Sequence, residues 1–349
     1  MTSDYKIIEG EYLRDILAQP QAVSDTLDAQ EEGGPLKSLC ERFAGGEFSR
    51  IVLTGMGSSF HALHPLNLEL ISQGHTPVMV ETSELIYYMP TLFDRGTLIV
   101  AVSQSGRSVE IIRLLEINQR RASIIGVTNT PASPLAEGTD AVILTRAGDE
   151  FSVSCKTYLA SLVSLAWLGA LLCRKHLPNT RSELGEGAPA VRQYLERWRN
   201  HVGDIVPLLA GIRDLFLAGR GASLAAAGTG GLIIKESTHF HSEGMSGAAF
   251  RHGPMEMLNP DIFVLVFEGD IKVGHLNSRL VQDVMAKGGR SELVGKNASR
   301  EAFRLPAAPQ SLSPLLEILP VEMITLALAA LTGREAGRFE IGSKVTTAE

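Results

Sequence analysis

Ser103, Gln104, Ser105 and Gly106, with Ser108 two places on, follow directly on the apolar run from Leu98 to Val102. A helical pattern starts at once, with Val109, Ile112 and Leu115 on one stripe. Hydroxyls and a glycine at such a junction suit an anion. The N–H groups of a first helical turn lack partners of their own, the helix end carries partial positive charge, and serines add donors. No Lys-Ser/Thr pair follows, so the turn is not of the ATP-binding kind. A compact phosphate monoester, held without a metal, is the ligand such a turn fits. The plainer alternative is a serine cap on an ordinary strand-to-helix turn.

Other groups invite chemistry with less specificity. Gly55, Gly57, Ser58 and Ser59 form a glycine-rich turn, but position 60 is Phe where a dinucleotide fingerprint needs its third glycine. Glu236 ends an Ile-Ile-Lys-Glu run and by itself reads as a surface glutamate. Lys344 lies in a polar tail and by itself reads as a solvated charge. His239, His241 and Glu243 have the residue types of a metal cluster. Gly219, Gly221 and Ser223 repeat the Gly55, Gly57, Ser59 pattern 164 residues later, which suggests two copies of one βαβ unit. The second copy departs at Phe267, Glu268, Gly269 and Asp270, where two acids replace the serines. They would repel a phosphate, so one phosphate site is expected, in the first half.

Short apolar runs alternate with helical patterns through most of the chain. Strands are expected at 50–54, 77–81, 98–102, 122–127 and 141–145, and again at 214–219, 262–267 and 291–294. Long helices are expected at 156–172 and 191–209. Alternation of this kind predicts an α/β fold with parallel sheets covered on both faces. The expected division is a helical arm over 1–34, a first domain over 35–180, a second over 181–332 and a tail over 333–349. Gly228, Gly230 and Gly231 weaken a helix by roughly 1 kcal/mol each relative to alanine, so close helix packing is expected there.

Composition narrows the classes further. The chain has 349 residues, enough for two full cores, with 44% hydrophobic and 20% charged residues, as in a soluble globular protein. A net charge of −7 argues against nucleic acid or an anionic membrane as partner. Cys40, Cys155 and Cys173 are odd in number and widely spaced, which points to a reducing cytoplasm. The N-terminus lacks a signal-peptide pattern. The apolar stretch from Leu315 to Leu331 holds Glu317, Pro320 and Glu322, and reads as a buried helix rather than a membrane span.

Taken together, these segments resemble the isomerase half of glucosamine-6-phosphate synthase, a pair of tandem sugar-isomerase (SIS) domains. The likeness runs through Ile16–Pro20, Gly57-Ser58-Ser59, Ser103–Gly106 and the segment from Glu150 to Thr157. It is strongest from Lys235 through Arg251, His252, Gly253 and Pro254, and it ends in the tail around Lys344. Glu236 and His252 stand 16 residues apart, with a lysine five residues from the end, and that combination is far more specific than the serine turn.

The resemblance implies two doubly wound α/β/α sandwiches and a homodimer with shared active sites, without cofactor or metal. It places the sugar phosphate on Ser103, Gln104, Ser105 and Ser108 with Ser58 and Ser59 beside it, and the sugar against Val153 and Cys155. It makes Glu236 the base between C1 and C2, His252 the ring-opening group reaching in from the neighbouring subunit, and Lys344 the amine that forms an imine with a ketose. Ser108 replaces the usual threonine, Cys155 stands where serine or threonine is frequent, and Gly342 and Ser343 replace Leu-Ala before the lysine. His241 and Glu243 correspond to structural positions on a helix. No glutaminase domain fits before residue 35, so nitrogen drawn from glutamine is not expected. A hexosamine 6-phosphate isomerase/deaminase is the leading expectation. A deglycase of fructosamine-type 6-phosphates and a non-catalytic sugar-phosphate sensor are the alternatives.

Overall fold

The computed structural model describes residues 5–341 and Lys344. The chain forms two compact units. The first takes Gln21–Asp149, Lys156–Gly185 and Lys344; the second takes the segment up to Pro20, Glu150–Cys155 and residues 186–341.

In the first unit five strands, β1 (Arg50–Gly55), β2 (Val78–Glu81), β3 (Thr97–Val102), β4 (Ser123–Thr128) and β5 (Ala141–Leu144), form one parallel sheet in the order β2-β1-β3-β4-β5. Every residue of β3 is buried, as its unbroken apolar run requires when both faces are covered. One face packs through Val52, Ile99, Ala101 and Ile124 against Leu85, Ile111 and Leu114 of α2 (Thr82–Tyr88) and α3 (Val109–Asn118), with α1 (Gly57–His61) following β1. Helices Gly34–Ala44 and α4 (Lys156–Leu172) lie against β5 and β4. Nearly all of α4 is buried, which explains its apolar run without a polar stripe.

The second unit repeats the arrangement with β6 (Asp214–Gly219), β7 (Ser242–Ser246), β8 (Ile262–Phe267) and β9 (Arg290–Val294), all parallel, in the order β7-β6-β8-β9. Phe216, Val264 and Val266 pack with Phe250 of α6 (Gly247–Arg251) and with Leu280 and Val284 of α7 (Gly274–Ala286). Two further helices cover the sheet and each other: α5 (Leu224–Thr238) packs on β6 and β7, and α8 (Ser313–Thr332) packs on α5. α8 is apolar and long enough to cross a membrane by composition, yet its residues from Pro314 to Ala329 are buried inside the unit.

β7 is absent from the sequence reading, which put His241 and Glu243 on a helix. Glu243 is instead in β7 and His241 just precedes it. The glycines of α5 explain the strand's position. A Cβ on Gly231 would sit 2.5 Å from the Gly244 nitrogen, and one on Gly230 would meet Leu217 and Val321. The close packing expected of these glycines is therefore helix against strand and helix against helix within one unit. The expected helix over 191–209 is two helices, Gly187–Leu195 and Trp198–Leu209.

The expected divisions at residues 34 and 180 do not coincide with the two units. Phe151 N–H donates to Asp15 Oδ2 at 2.7 Å, which ties the Glu150–Cys155 turn to the N-terminal helix Glu11–Leu17. Arg181 stacks over Trp167 at 4.6 Å, which holds the helix Leu177–Gly185 on α4.

Candidate active site

The serine turn leaves the sheet at the end of β3. Ser103 N–H donates to Val127 O at 3.0 Å, and Gln104 O accepts from Asn129 N–H at 3.0 Å, so the loop after β4 clamps the turn. Ser103 Oγ accepts from Gly106 N–H at 3.2 Å and Ser105 Oγ from Arg107 N–H at 3.3 Å. Gly106 has φ +62°, and a Cβ there would run into Ser133 Oγ, so only glycine fits. Ser108 is the N-cap residue of α3 by backbone, but its hydroxyl makes no capping bond. The first-turn N–H groups are thus left without a side-chain cap, and the ordinary-cap alternative loses its main support.

Ser58 and Ser59 stand in α1, beyond the end of β1, which pairs with β3 so that Gly55 lies opposite Val102. The structure therefore brings them to the same edge of the sheet as Ser103–Ser108. Ser58 Oγ is buried with no partner among the described residues. Such a hydroxyl is costly unless something else supplies the hydrogen bond.

Glu236 stands in the last turn of α5, in the second unit. Its carboxyl is half-buried and takes no hydrogen bond among the described residues. Burial first, and the nearby charge of Glu150 second, push it up to about 7, with Lys235 pulling the other way. Glu150 opens the turn that carries Val153 and Cys155, both fully buried, and its Oε1 accepts from Cys155 N–H at 2.9 Å.

The same unit holds a buried polar group that sequence reasoning did not assemble. Gln19 Nε2 donates to Glu322 Oε1 at 2.5 Å, and Thr325 Oγ1 donates to the Tyr12 hydroxyl at 3.3 Å. Burial raises the Glu322 carboxyl and the Tyr12 phenol well above their usual ranges, and the charge of Glu322 adds to the rise at Tyr12. Glu322 stood out in the sequence as an acid in an apolar helix, but nothing there linked it to Tyr12 or Gln19.

His252 is the C-cap residue of α6, exposed, and no hydrogen bond joins it to Glu236. Lys344 is half-buried. Gly342 and Ser343, which depart from the pattern of the resemblance, lie outside the described residues. His241 Nδ1 lies 2.6 Å from Asp214 Oδ1, and Lys235 Nζ lies 3.4 Å from Glu243 Oε1. These side chains are engaged with one another and with protein carboxylates.

The model of the SIS domain family matches residues 47–171, which hold the whole first sheet. This segment is a SIS domain. Over 348 aligned residues, the SIS segment included, the chain is 28% identical to the glutamine–fructose-6-phosphate aminotransferase (isomerizing) of Pyrococcus horikoshii, covering 97% of this chain and 57% of that protein. It thus spans little more than half the length of such relatives. Among solved structures, the C-terminal domain of glucosamine-fructose-6-phosphate aminotransferase from Francisella tularensis superposes with a TM-score of 0.83 at 22% identity, covering 95% of this chain and 98% of that one. Glucosamine-6-phosphate deaminase from Thermotoga maritima superposes with a TM-score of 0.75 at 17% identity, covering 95% of this chain and all of that one. Both likenesses establish the fold around the SIS domain.

Proposed function

We propose that this chain is a phosphosugar isomerase/deaminase that turns a hexosamine 6-phosphate into a ketose 6-phosphate and ammonia. The observation that carries the reading is the Glu236 carboxyl, half-buried, free of hydrogen bonds among the described residues and held near 7. A carboxylate with that affinity can take a proton from carbon and return it near neutral pH. The names of the relatives, an isomerizing aminotransferase and a deaminase, both of 6-phosphate sugars, favour the same chemistry.

In this reading the phosphate rests on Ser103, Gln104, Ser105 and Ser108, with Ser58 and Ser59 beside them, and the sugar meets Val153 and Cys155. His252 moves the proton from the anomeric hydroxyl to the ring oxygen and so opens the ring. Glu236 then takes the C2 proton, leaving an enolamine, and delivers it to C1. The product is an imine at C2, which water hydrolyses to the ketose and ammonia. In the reverse sense, with a ketose, Lys344 forms the imine. The second sheet is read as a second SIS copy, because its order matches that of β2-β1-β3-β4. His252 is exposed at a helix end. That suits a homodimer in which it completes the neighbouring subunit's site.

Ammonia release over a panel of amino-sugar 6-phosphates and glycated amino acid 6-phosphates tests the proposal. Ammonia and ketose phosphate in equal amounts from a hexosamine 6-phosphate are expected. Release of an amino acid instead would make the chain a deglycase, and binding without turnover of any substrate would make it a sensor.

A further inference from the structure

Gly337, in the segment after α8, is buried where three parts of the second unit meet. Its N–H donates to Ser237 O at 3.0 Å, one residue beyond Glu236. Ser237 O is among the last carbonyls of α5, which have no partner inside the helix. Gly337 has φ +77°, and a Cβ there would sit 2.8 Å from Tyr12 Cβ and 2.9 Å from Ser152 Oγ. Tyr12 belongs to the helix Glu11–Leu17, and Ser152 to the turn that Glu150 opens. Gly337 thus joins the helix end that carries Glu236, the turn that carries Glu150 and the helix to which Asp15 ties that turn.

The hydroxyls of Ser152 and Ser237 are buried with no partner among the described residues. Neither bonds the turn to the helix, so the junction rests on the Gly337 amide and on close packing. The segment around Gly337 is closed at its ends by Arg334 and Glu340, whose Nη2 and Oε2 lie 2.6 Å apart. The bond from Arg334, with the charges of Arg334 and His239, holds the Glu340 carboxyl below its usual range. His239 is the C-cap residue of α5, so the segment meets the end of that helix at a second point.

We propose that Gly337 is a positioning residue for Glu236: the segment 334–340 acts as a clasp that sets Glu236 against Glu150 and keeps its carboxyl half-buried. The assignment rests on the reading of Glu236 as the base. The titratable groups on the packed elements are Lys235 on α5, 3.4 Å from Glu243 of β7, Glu150 and Cys155 on the turn, Tyr12 on the N-terminal helix and Glu322 on α8. Burial disfavours charge on Tyr12 and Glu322, which leaves Glu150 and Lys235 as the charges that act on Glu236. Burial and Glu150 raise its proton affinity, so a loosened clasp lowers it.

Carbon-13 NMR titration of the glutamate-labelled full chain reads that affinity without turnover, with the Glu236 signal assigned by its loss in Glu236→Gln. Gly337→Ala should move the Glu236 midpoint down by about one unit, toward the ordinary carboxyl value. The kcat for ammonia release should fall about tenfold with KM nearly unchanged, because the phosphate rests on the serine turn. Gly333→Ala is the control: Gly333 has φ +67°, but a Cβ there meets nothing within 4 Å. It strains the backbone alike and should leave the midpoint in place. If Gly337→Ala does not fold, Arg334→Gln, on a half-exposed side chain, opens the clasp and should move the midpoint the same way. An unmoved midpoint in the folded Gly337→Ala chain, or in Arg334→Gln where that variant decides, would overturn the proposal, as would an equal shift in Gly333→Ala. A moved midpoint in a chain whose unaltered form turns over no sugar phosphate would uphold the clasp and overturn the proposed reaction instead.

Discussion

Glu150 and Glu236 are two carboxylates that meet in one unit although 86 residues separate them, and the charge on Glu150 raises the proton affinity of Glu236. Glu150 is fixed by its bond to Cys155 N–H, so the charge is held at a set place. Glu150→Gln keeps that acceptor and removes the charge. The limb of the rate profile that reports Glu236 should move toward lower pH. The move should stay under about one unit, because burial is the larger cause. Initial rates of ammonia release across pH check it; an unmoved limb with a normal maximal rate would show that the two groups do not interact.

Glu236 should also weaken the fold where it works. Its folded-state affinity, about 7, lies above the ordinary carboxyl value of 4.5. Between those two values the folded state holds the proton more tightly than the unfolded state. Stability is therefore lost as pH rises through this window, and the full loss is present above about 7. Glu236→Gln removes the titration and should be more stable than the unaltered chain at pH 8, by on the order of 2 kcal/mol, and no more stable near pH 4. Denaturant unfolding at the two values measures the difference.

Much of this arrangement is legible in the residues, and the exceptions have physical causes. The runs 98–102 and 262–267 announced β3 and β8 because a strand buried on both faces needs an unbroken apolar run. Ser-Glu-Gly-Met-Ser carries no such run, so β7 was not legible. It is a strand because Gly231 of α5 lets the backbone at Gly244 approach, a relation that appears only once the helix and strand are packed. Ser103–Ser108 stand together because they are sequential. The Gln19, Glu322 and Tyr12 group is assembled across 303 residues, and residue types alone do not reveal which distant acid a glutamine will meet.

The serine turn and its echo should respond differently to one substitution. Ser105→Ala removes a hydroxyl donor to a charged oxygen and should cost about 1.5–3 kcal/mol of affinity for a hexose 6-phosphate. Ser223→Ala should leave that affinity unchanged, because Ser223 Oγ is committed to Glu317 at 2.8 Å. It should lower thermal stability instead, by leaving a second oxygen of Glu317 without a donor. Calorimetry and thermal unfolding of both variants separate the outcomes; equal losses of affinity would mean two phosphate sites.

An exposed His252 that does not touch Glu236 leads to a mixing experiment. If His252 completes the neighbouring subunit's site, inactive His252→Ala and inactive Glu236→Ala chains should regain activity when their subunits exchange. In a mixed dimer one of the two sites then has both residues intact, so about a quarter of normal activity is expected from random pairing, in which roughly half the dimers are mixed. Absence of recovery after exchange has been verified by mass would put both residues in one chain's site.

Lys344 separates an enzyme from a sensor more directly than any other residue in the proposal. An imine needs a neutral amine, and an amine is neutral near pH 7 only where water is excluded and a positive charge is disfavoured. The Lys344 side chain is half-buried. Borohydride added with a ketose 6-phosphate should reduce the imine to a stable secondary amine on Lys344, detected as a mass increase on the C-terminal peptide. Lys344→Ala should still bind sugar phosphate through Ser105 yet lose turnover of a ketose. With an aldosamine substrate the nitrogen is already at C2, so trapping should be weak while the rate still falls through slower ring opening. Unchanged turnover of every substrate by Lys344→Ala, with no adduct on the unaltered chain, would remove the lysine from the mechanism and leave Glu236 and His252 to account for it alone.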